Sequence, residues 1–363
     1  MSFNRTIPFN ELPDLPPSGV DLETPVILKQ VAKASRYLGE LKGLCQSLPD
    51  PQLLINTLIL QESKDSSAIE NIVTTQDELY KATLEGDKVE NHAAKEVLSY
   101  REALYAGIGL MKERHGLITT KTMIEIVRTI KRNDAGIRKI PGTALKNAIN
   151  GEVIYTPPTG EDVIRGKLDA LEHFINGDTA WETDPLIKLA VLHYQFEAIH
   201  PFADGNGRTG RILNALYLVQ QGLLDYPVLY LSSYIVRYKN EYYQLLREIT
   251  EAGNWENWVM YMLTAISETA QLTVSKIKEM LGLREALEKS MKEVLGASYK
   301  HELLQLLFTL PYVKIEILER NRIAHRQTAS VWLSRLVESD ILRTQKIGRT
   351  TYYINYRLLS ILS

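Results

Sequence analysis

The chain has 363 residues, 45% of them apolar, a formal net charge of −2 and a single cysteine, Cys45. That length supports a sizeable core and two or three domains, while the near-neutral charge gives no molecule-wide field for nucleic acid or anionic membrane. One cysteine excludes an intramolecular disulfide and fits a reducing compartment; with no signal-peptide pattern at the start and no apolar run near the roughly 18 residues of a membrane span, a cytoplasmic protein without membrane contact is expected.

Prolines 8, 13, 16 and 17 make the first twenty residues an extended arm lying over a later surface. Thr24 then reads as an N-cap with Pro25 at the first helical position, and Val26, Ile27, Val31, Ala34, Leu38 and Leu41 form a helical stripe to about Cys45. A second helix follows Asp50-Pro51 and ends near Asn71, a residue that tolerates the left-handed conformation. From about 77 to 134 the pattern stays amphipathic and helical, with Thr119 and Thr120 as caps. Asn150-Gly151, between apolar segments and followed by Pro157-Pro158, predicts a small β-hairpin within 145–163.

Helix resumes at about 163–176. Asp184-Pro185 then caps a segment apolar on nearly every side, which should be the central buried helix. Beyond Asp225 the reading gives NEYYQLLREITEAG, then WENWVMYMLTAISETAQ, then a polar-faced helix to about Gly296. The tail reads as three short helices and two strands joined at Gly348-Arg349, a winged helix-turn-helix pattern with Thr328 to Val337 as recognition helix. The fold class is therefore mainly α, with a β-hairpin and a C-terminal winged helix, divided at 1–92, 93–296 and 297–363.

The central helix runs into His200-Pro201-Phe202-Ala203-Asp204-Gly205-Asn206-Gly207-Arg208-Thr209-Gly210-Arg211. Gly205, Asn206 and Gly207 stand between two helices, so their backbone N–H groups can converge as an anion-binding nest. Arg208 and Arg211, three apart on one helical face, can neutralise a polyphosphate, and Asp204 offers a hard oxygen to Mg2+. A neutral imidazole at His200 could take a proton from an incoming hydroxyl. Together these parts describe phosphoryl or nucleotidyl transfer. DGNGR alone would fit an ordinary interhelical turn; nine specified positions in twelve do not.

That string resembles, without a departure, the Fic family motif His-Pro-Phe-x-Asp/Glu-Gly-Asn-Gly-Arg-x-x-Arg, and the similarity extends over about 93–265. The resemblance implies a Fic-type helical core and transfer of AMP from ATP to a hydroxyl side chain of a target protein or of the chain itself. His200 would be the base, Phe202 a core anchor and Asp204 the Mg2+ ligand, with Gly205 to Arg208, Thr209, Gly210 and Arg211 around the phosphates. His193 is expected to pack rather than to catalyse. Doc-like kinases resemble the motif but carry lysine for the second glycine, so Gly207 argues against that chemistry. The hairpin matches the family's flap, where Val153, Ile154 and Tyr155 would pair with the target's extended segment. Tyr242 and Tyr243 resemble its nucleotide-contacting tyrosine pair, of which at most one can face the base, because adjacent helical residues diverge by about 100°.

Ser66-Ser67-Ala68-Ile69-Glu70-Asn71 resembles the family's inhibitory-helix motif, Ser/Thr-x-x-x-Glu-Gly/Asn, at Ser66, Glu70 and Asn71. A Glu70 carboxylate reaching Arg211 would take the guanidinium fork meant for the γ phosphate. It could also direct water at AMP-modified protein, giving AMP removal as a second activity. The rival classes are a Doc-like kinase and a DNA-binding regulator working through the basic tail, the latter less favoured because winged helices also serve as docking modules. A homodimer is compatible with all of these.

Overall fold

In the computed structural model, which describes residues 3–48, 51–85, 91–147, 150–177, 180–347 and 350–362, the first helix is α1 (Pro25–Gln46), capped by Thr24, whose Oγ1 accepts from Ile27 N at 3.4 Å. Its buried stripe starts at Ile27 rather than Val26, which is exposed. Helix α2 (Pro51–Ile69) ends as the sequence indicates, with Asn71 in the left-handed region at φ 62°. Asp50, read as part of its start, lies outside the described residues. Then come α3 (Gln76–Glu85), α4 (His92–Glu113) and α5 (Thr120–Lys131), the last opened by a reciprocal capping box between Thr119 and Thr122.

The hairpin is present but shorter than the apolar segments around it: β1 (Leu145–Lys146) pairs antiparallel with β2 (Val153–Tyr155) across a register irregularity. Asn150 and Gly151 sit in a connecting loop longer than the two-residue turn their pairing suggests, with Gly151 at φ 70°. The N-terminal arm lies against this flap and the helix behind it. Phe9 N donates to Thr156 O (3.0 Å), Asn10 Oδ1 accepts from Thr159 N (2.8 Å), and Gln195 Nε2 donates to Pro13 O (2.8 Å).

After α6 (Glu161–Ile175), Asp184 caps α7 (Pro185–Ile199) by accepting from Leu186 N at 2.8 Å. Nearly all of α7 is buried, with α6 on one side and α8 (Asn206–Gln220) and α11 (Trp255–Leu295) on others. A helix apolar on every face can be stable only when surrounded in this way. Trp258 of α11 fixes it by donating Nε1 to Ala190 O (2.8 Å) and stacking on His193. Short α9 (Leu231–Arg237) and α10 (Lys239–Ala252) complete this layer. The two helices read after Asn254 are one: α11 runs unbroken for 41 residues, because only Gly282 interrupts its helix formers and a single glycine costs about 1 kcal/mol.

The tail folds as α12 (His301–Thr309), α13 (Ile315–Arg320), α14 (Arg326–Glu338), β4 (Arg343–Ile347) and β5 (Thr350–Ile354), the order read from the sequence. The Gly348-Arg349 joint lies outside the described residues. A third strand, β3 (Tyr312–Val313), and a last helix, α15 (Tyr356–Leu362), are additional; the sheet order is β3-β5-β4, antiparallel throughout. This unit leans on the N-terminal helices. Helix α12 packs on α2, the Tyr312 and Tyr80 rings stack with centroids 6.0 Å apart, and Gln76 Nε2 donates to Leu362 O at 3.1 Å. No helix among the described residues is long and apolar enough to cross a membrane.

Helices α4, α5 and α8 meet at Gly107, where an added Cβ would lie 3.0 Å from Leu216 Cδ1 and 3.2 Å from Ile126 Cδ1. Gly107→Val overpacks this crossing and should lower stability by about 1–3 kcal/mol, read as a reduced urea midpoint with unchanged m-value.

Candidate functional site

The site forms where α7 stops. His200 closes the helix in the left-handed region at φ 48°, an uncommon conformation outside glycine, and its amide still donates to Phe196 O (3.0 Å). The end is held by Arg138. Its Nε donates to His200 O (2.8 Å), its Nη2 to Ile199 O (3.4 Å) and to Pro158 O, and its backbone N–H to Pro201 O (2.9 Å). A cation on the last carbonyls suits the negative end of the helix dipole. Burial first, and then the Arg138 charge, lower the His200 pKa to about 4, against an opposing pull from the Glu197 backbone, Glu70 and Asp204. The imidazole is thus neutral at pH 7, in the form that can accept a proton.

The following turn is clasped by Asn206. Its Oδ1 accepts from Phe202 N and its Nδ2 donates to Phe202 O, both at 2.8 Å, while the Phe202 ring is fully buried. Gly205 takes φ 84° and leads into α8, whose first intrahelical bond is Thr209 N to Gly205 O (3.0 Å). The amides of Asn206, Gly207 and Arg208 therefore lie at the open, positive end of the helix. Gly210 serves another purpose: a Cβ there would meet Glu197 Oε1 at 2.5 Å and Phe196 Cδ1 at 3.0 Å, so it lets α8 approach α7.

Both arginines are buried. Arg208 Nη1 donates to Glu96 Oε2 (2.5 Å), and its Nε is buried without a partner among the described residues. Arg211 is engaged by the last turn of α2 and the residue that follows it: Nε donates to Ser66 Oγ (2.8 Å), Nη2 to Ser66 O (2.9 Å) and to Glu70 Oε1 (2.8 Å). Burial pushes the Glu70 carboxyl up, yet the Arg211 charge and hydrogen bond outweigh it and hold it below the usual carboxylate range; Arg211 is held above its own for the same reason. The carboxylate lies over the nest. A Cβ on Gly207 would collide with Glu70 Oε1 and stand 2.9 Å from Arg211 Nη1. Asn71, next in the chain, accepts from Lys239 Nζ at 3.2 Å.

Asp204 faces solvent. Burial raises its carboxyl, but Lys131, whose Nζ donates to Oδ2 at 2.5 Å, brings it below the ordinary value. It is an ionised oxygen donor at the mouth of the nest. No group of three or more metal-binding side chains occurs among the described residues. An ion that takes one carboxylate and completes its shell with phosphate oxygens and water needs none.

The tyrosine pair divides as helical geometry requires. Tyr242 is buried, shares a 2.8 Å hydrogen bond with His193 Nε2 and packs on Trp258; Tyr243 is 45% exposed on the side of Glu70 and Arg211. His193 is wholly buried and its pKa falls to about 3, first through burial and then through Arg211, as befits a packed ring. In the flap, Tyr155 is buried and its hydroxyl donates to Ala198 O (2.8 Å), tying β2 to α7 just before His200; Val153 and Ile154 are half-buried. Sequence reasoning missed Arg138, Lys131, Glu96 and Glu197. The first three come from segments with no motif of their own, whereas Glu197, lifted to about 7 by burial, sits three residues before His200 and looks in sequence like one more polar position on the helix.

Three family profiles match the chain: "Fic/DOC family N-terminal" over residues 28–109, "Fic/DOC family" over 117–218, and "Protein adenylyltransferase SoFic-like, C-terminal domain" over 283–358. The chain belongs to the Fic/DOC family. Among curated relatives, "Protein adenylyltransferase fic-1" of Caenorhabditis briggsae is 27% identical over 54% of this chain, and "Protein adenylyltransferase Fic" of Culex quinquefasciatus 23% over 53%. In both comparisons the chain spans 36% of the relative's length. A Fic family protein from Desulfovibrio desulfuricans has the same fold with a TM-score of 0.60 at 19% identity, covering 94% of this chain and 98% of that one. Residues 134–508 of Fic-1 from Caenorhabditis elegans follow with a TM-score of 0.54 at 21% identity, over 70% and 74% of the two chains.

Replacing Arg138 by methionine keeps much of its packing but leaves buried carbonyls at the α7 end without their donor. We expect urea unfolding to show a loss of about 1–3 kcal/mol.

Proposed function

We propose that this chain is a protein adenylyltransferase that moves AMP from ATP onto a hydroxyl side chain, and that α2 holds it in an inhibited state. The observation that carries this reading is the Glu70 carboxylate seated on Arg211 and against Gly207, at the point where the open α8 amides and a buried guanidinium converge. Nucleotide phosphates fit there for the same reasons the carboxylate does, and the unsatisfied Arg208 Nε offers one more donor.

In the active state Arg211 and the α8 amides bind the β and γ phosphates, leaving the α phosphorus toward His200. His200, neutral and fixed by the Arg138-held helix end, removes the acceptor proton as the hydroxyl attacks in line, and pyrophosphate leaves. Asp204 would hold Mg2+, whose charge offsets that of the phosphate oxygens. The free edge of the flap would align the acceptor segment through main-chain hydrogen bonds. Gly207 keeps the nest open to the β and γ phosphates, which favours AMP transfer over the γ-phosphate transfer of a Doc-like kinase.

Purified wild-type protein and its Glu70→Gly form, incubated with ATP labelled at the α or the γ phosphate, should retain only the α label. The variant should exceed wild type by about tenfold or more, the equivalent of 1.4 kcal/mol or more of inhibitory contact. His200→Ala should lower transfer by about 10²–10⁴-fold. Retained γ label would point to a kinase instead, and equal rates for wild type and Glu70→Gly would remove the inhibitory role.

The pH profile follows from the lowered His200 pKa. The base is in its working form above about 4, so kcat/KM for ATP in the Glu70→Gly form should show no loss through 6.5 and decline only as the pH falls toward about 4. A limb near 6.5 would mean a solvated ring.

A further inference from the structure

Helix α2 carries a buried acid, Glu62, that the inhibitory motif does not include. Glu62 lies four residues before Ser66, hence on the same face of the helix, and eight before Glu70, which directly follows the last helical residue. Its side chain has almost no access to solvent. Its carboxylate accepts three hydrogen bonds from two other helices: from Ser232 N (2.9 Å) and Ser232 Oγ in the first turn of α9, and from Tyr100 OH (3.3 Å) on α4. The Ser232 backbone N–H can only donate, and both hydroxyls are turned to donate, an arrangement that suits a carboxylate.

An acid is an expensive way to attach one helix to a core. Burial, only partly offset by the Ser232 hydrogen bonds, lifts its pKa to about 7, and an aliphatic side chain would pack without that penalty. What directional bonds supply, and apolar packing does not, is register. A helix held only by Leu and Ile contacts can slide or turn with modest loss, whereas displacement along or about its axis breaks all three bonds at Glu62 together. One turn further on Ser66, and just past the helix end Glu70, must meet Arg211 within hydrogen-bond distance.

We propose that Glu62 is a positioning residue for the inhibitory contact: by anchoring α2 to Ser232 and Tyr100, it sets the register in which Glu70 reaches Arg211. The inference rests on the reading of Glu70 as the brake. Of the three hydrogen bonds at Glu62, none goes to His200, Arg211 or the turn at 205–208.

Glu62→Gln tests it with little change of volume, since an amide replaces one acceptor oxygen by an N–H2 and the Ser232 and Tyr100 hydroxyls must turn to accept from it. Ser232→Ala removes one bond from the opposite side, and Glu62→Ala removes all three. Amide hydrogen exchange followed peptide by peptide is the first readout. Exchange over residues 62–71 should quicken in all three variants, while peptides from α7 and α8 keep wild-type protection. The second readout is AMP transfer. Each variant should raise it by roughly threefold to thirtyfold over wild type, and none should add to the rate of Glu70→Gly, because the contact they position is already gone. Wild-type exchange over 62–71 in both Glu62→Gln and Ser232→Ala overturns the proposal. So does a Glu62→Gln/Glu70→Gly double variant that transfers AMP well below Glu70→Gly, which would mark Glu62 as a support of the catalytic core instead. If Glu70→Gly itself transfers no AMP, the enzymatic reading fails, and the exchange experiment still decides whether Glu62 sets the register of α2.

Discussion

A guanidinium with almost no access to water must be answered by other groups, and here the answer given to Arg211 organises the whole centre of the molecule. Desolvating an unpaired charge costs several kcal/mol, so some acceptor is always required at that spot. Helix α2 supplies it with the Ser66 hydroxyl and carbonyl and the Glu70 carboxylate. Under the proposed function a triphosphate would supply it in their place. The two arrangements are alternatives because they satisfy the same donors.

Everything around this fork serves to keep it fixed. Helix α7 is buried nearly all round, its end is held by Arg138, and Asn206 clasps the turn that aims α8. Such a framework has little freedom to rearrange, which places the adjustable part of the system in α2. The environment also sets protonation. His200 is desolvated into its neutral form while Asp204, in contact with Lys131 and open to solvent, stays charged. A neutral imidazole and an ionised carboxylate thus come from one turn, separated by burial.

Much of this was legible in the sequence because it depends on local rules. Thr24, Thr119 and Asp184 cap the helices they appear to cap, Asn71 ends α2, and the all-apolar segment after Pro185 is the buried centre. The glycine loop could be read because backbone geometry there dictates residue type. Local rules fall silent where partners are remote in the chain. Arg138 reaches the α7 end across 62 residues, Glu96 reaches Arg208 across 112, and Glu62 reaches Ser232 across 170. Nothing in the vicinity of any of these residues announces its partner. The continuity of α11 was missed for another reason: its exposed and buried stretches differ in composition, and a change of environment along one helix looks like a change of element.

Gly207 is under two demands that happen to coincide. The Glu70 carboxylate rests in the space a methyl group would fill, and under the proposed function a phosphate binding the same amides would need that space as well. Substituting this residue therefore offers no route to a constitutively active protein: whatever crowds out the one anion crowds out the other. On that reading, independent tuning of restraint and turnover has to come from the α2 side of the contact, which the nucleotide would not use. A lineage in which restraint is adjusted should accordingly vary along that helix and keep its glycine.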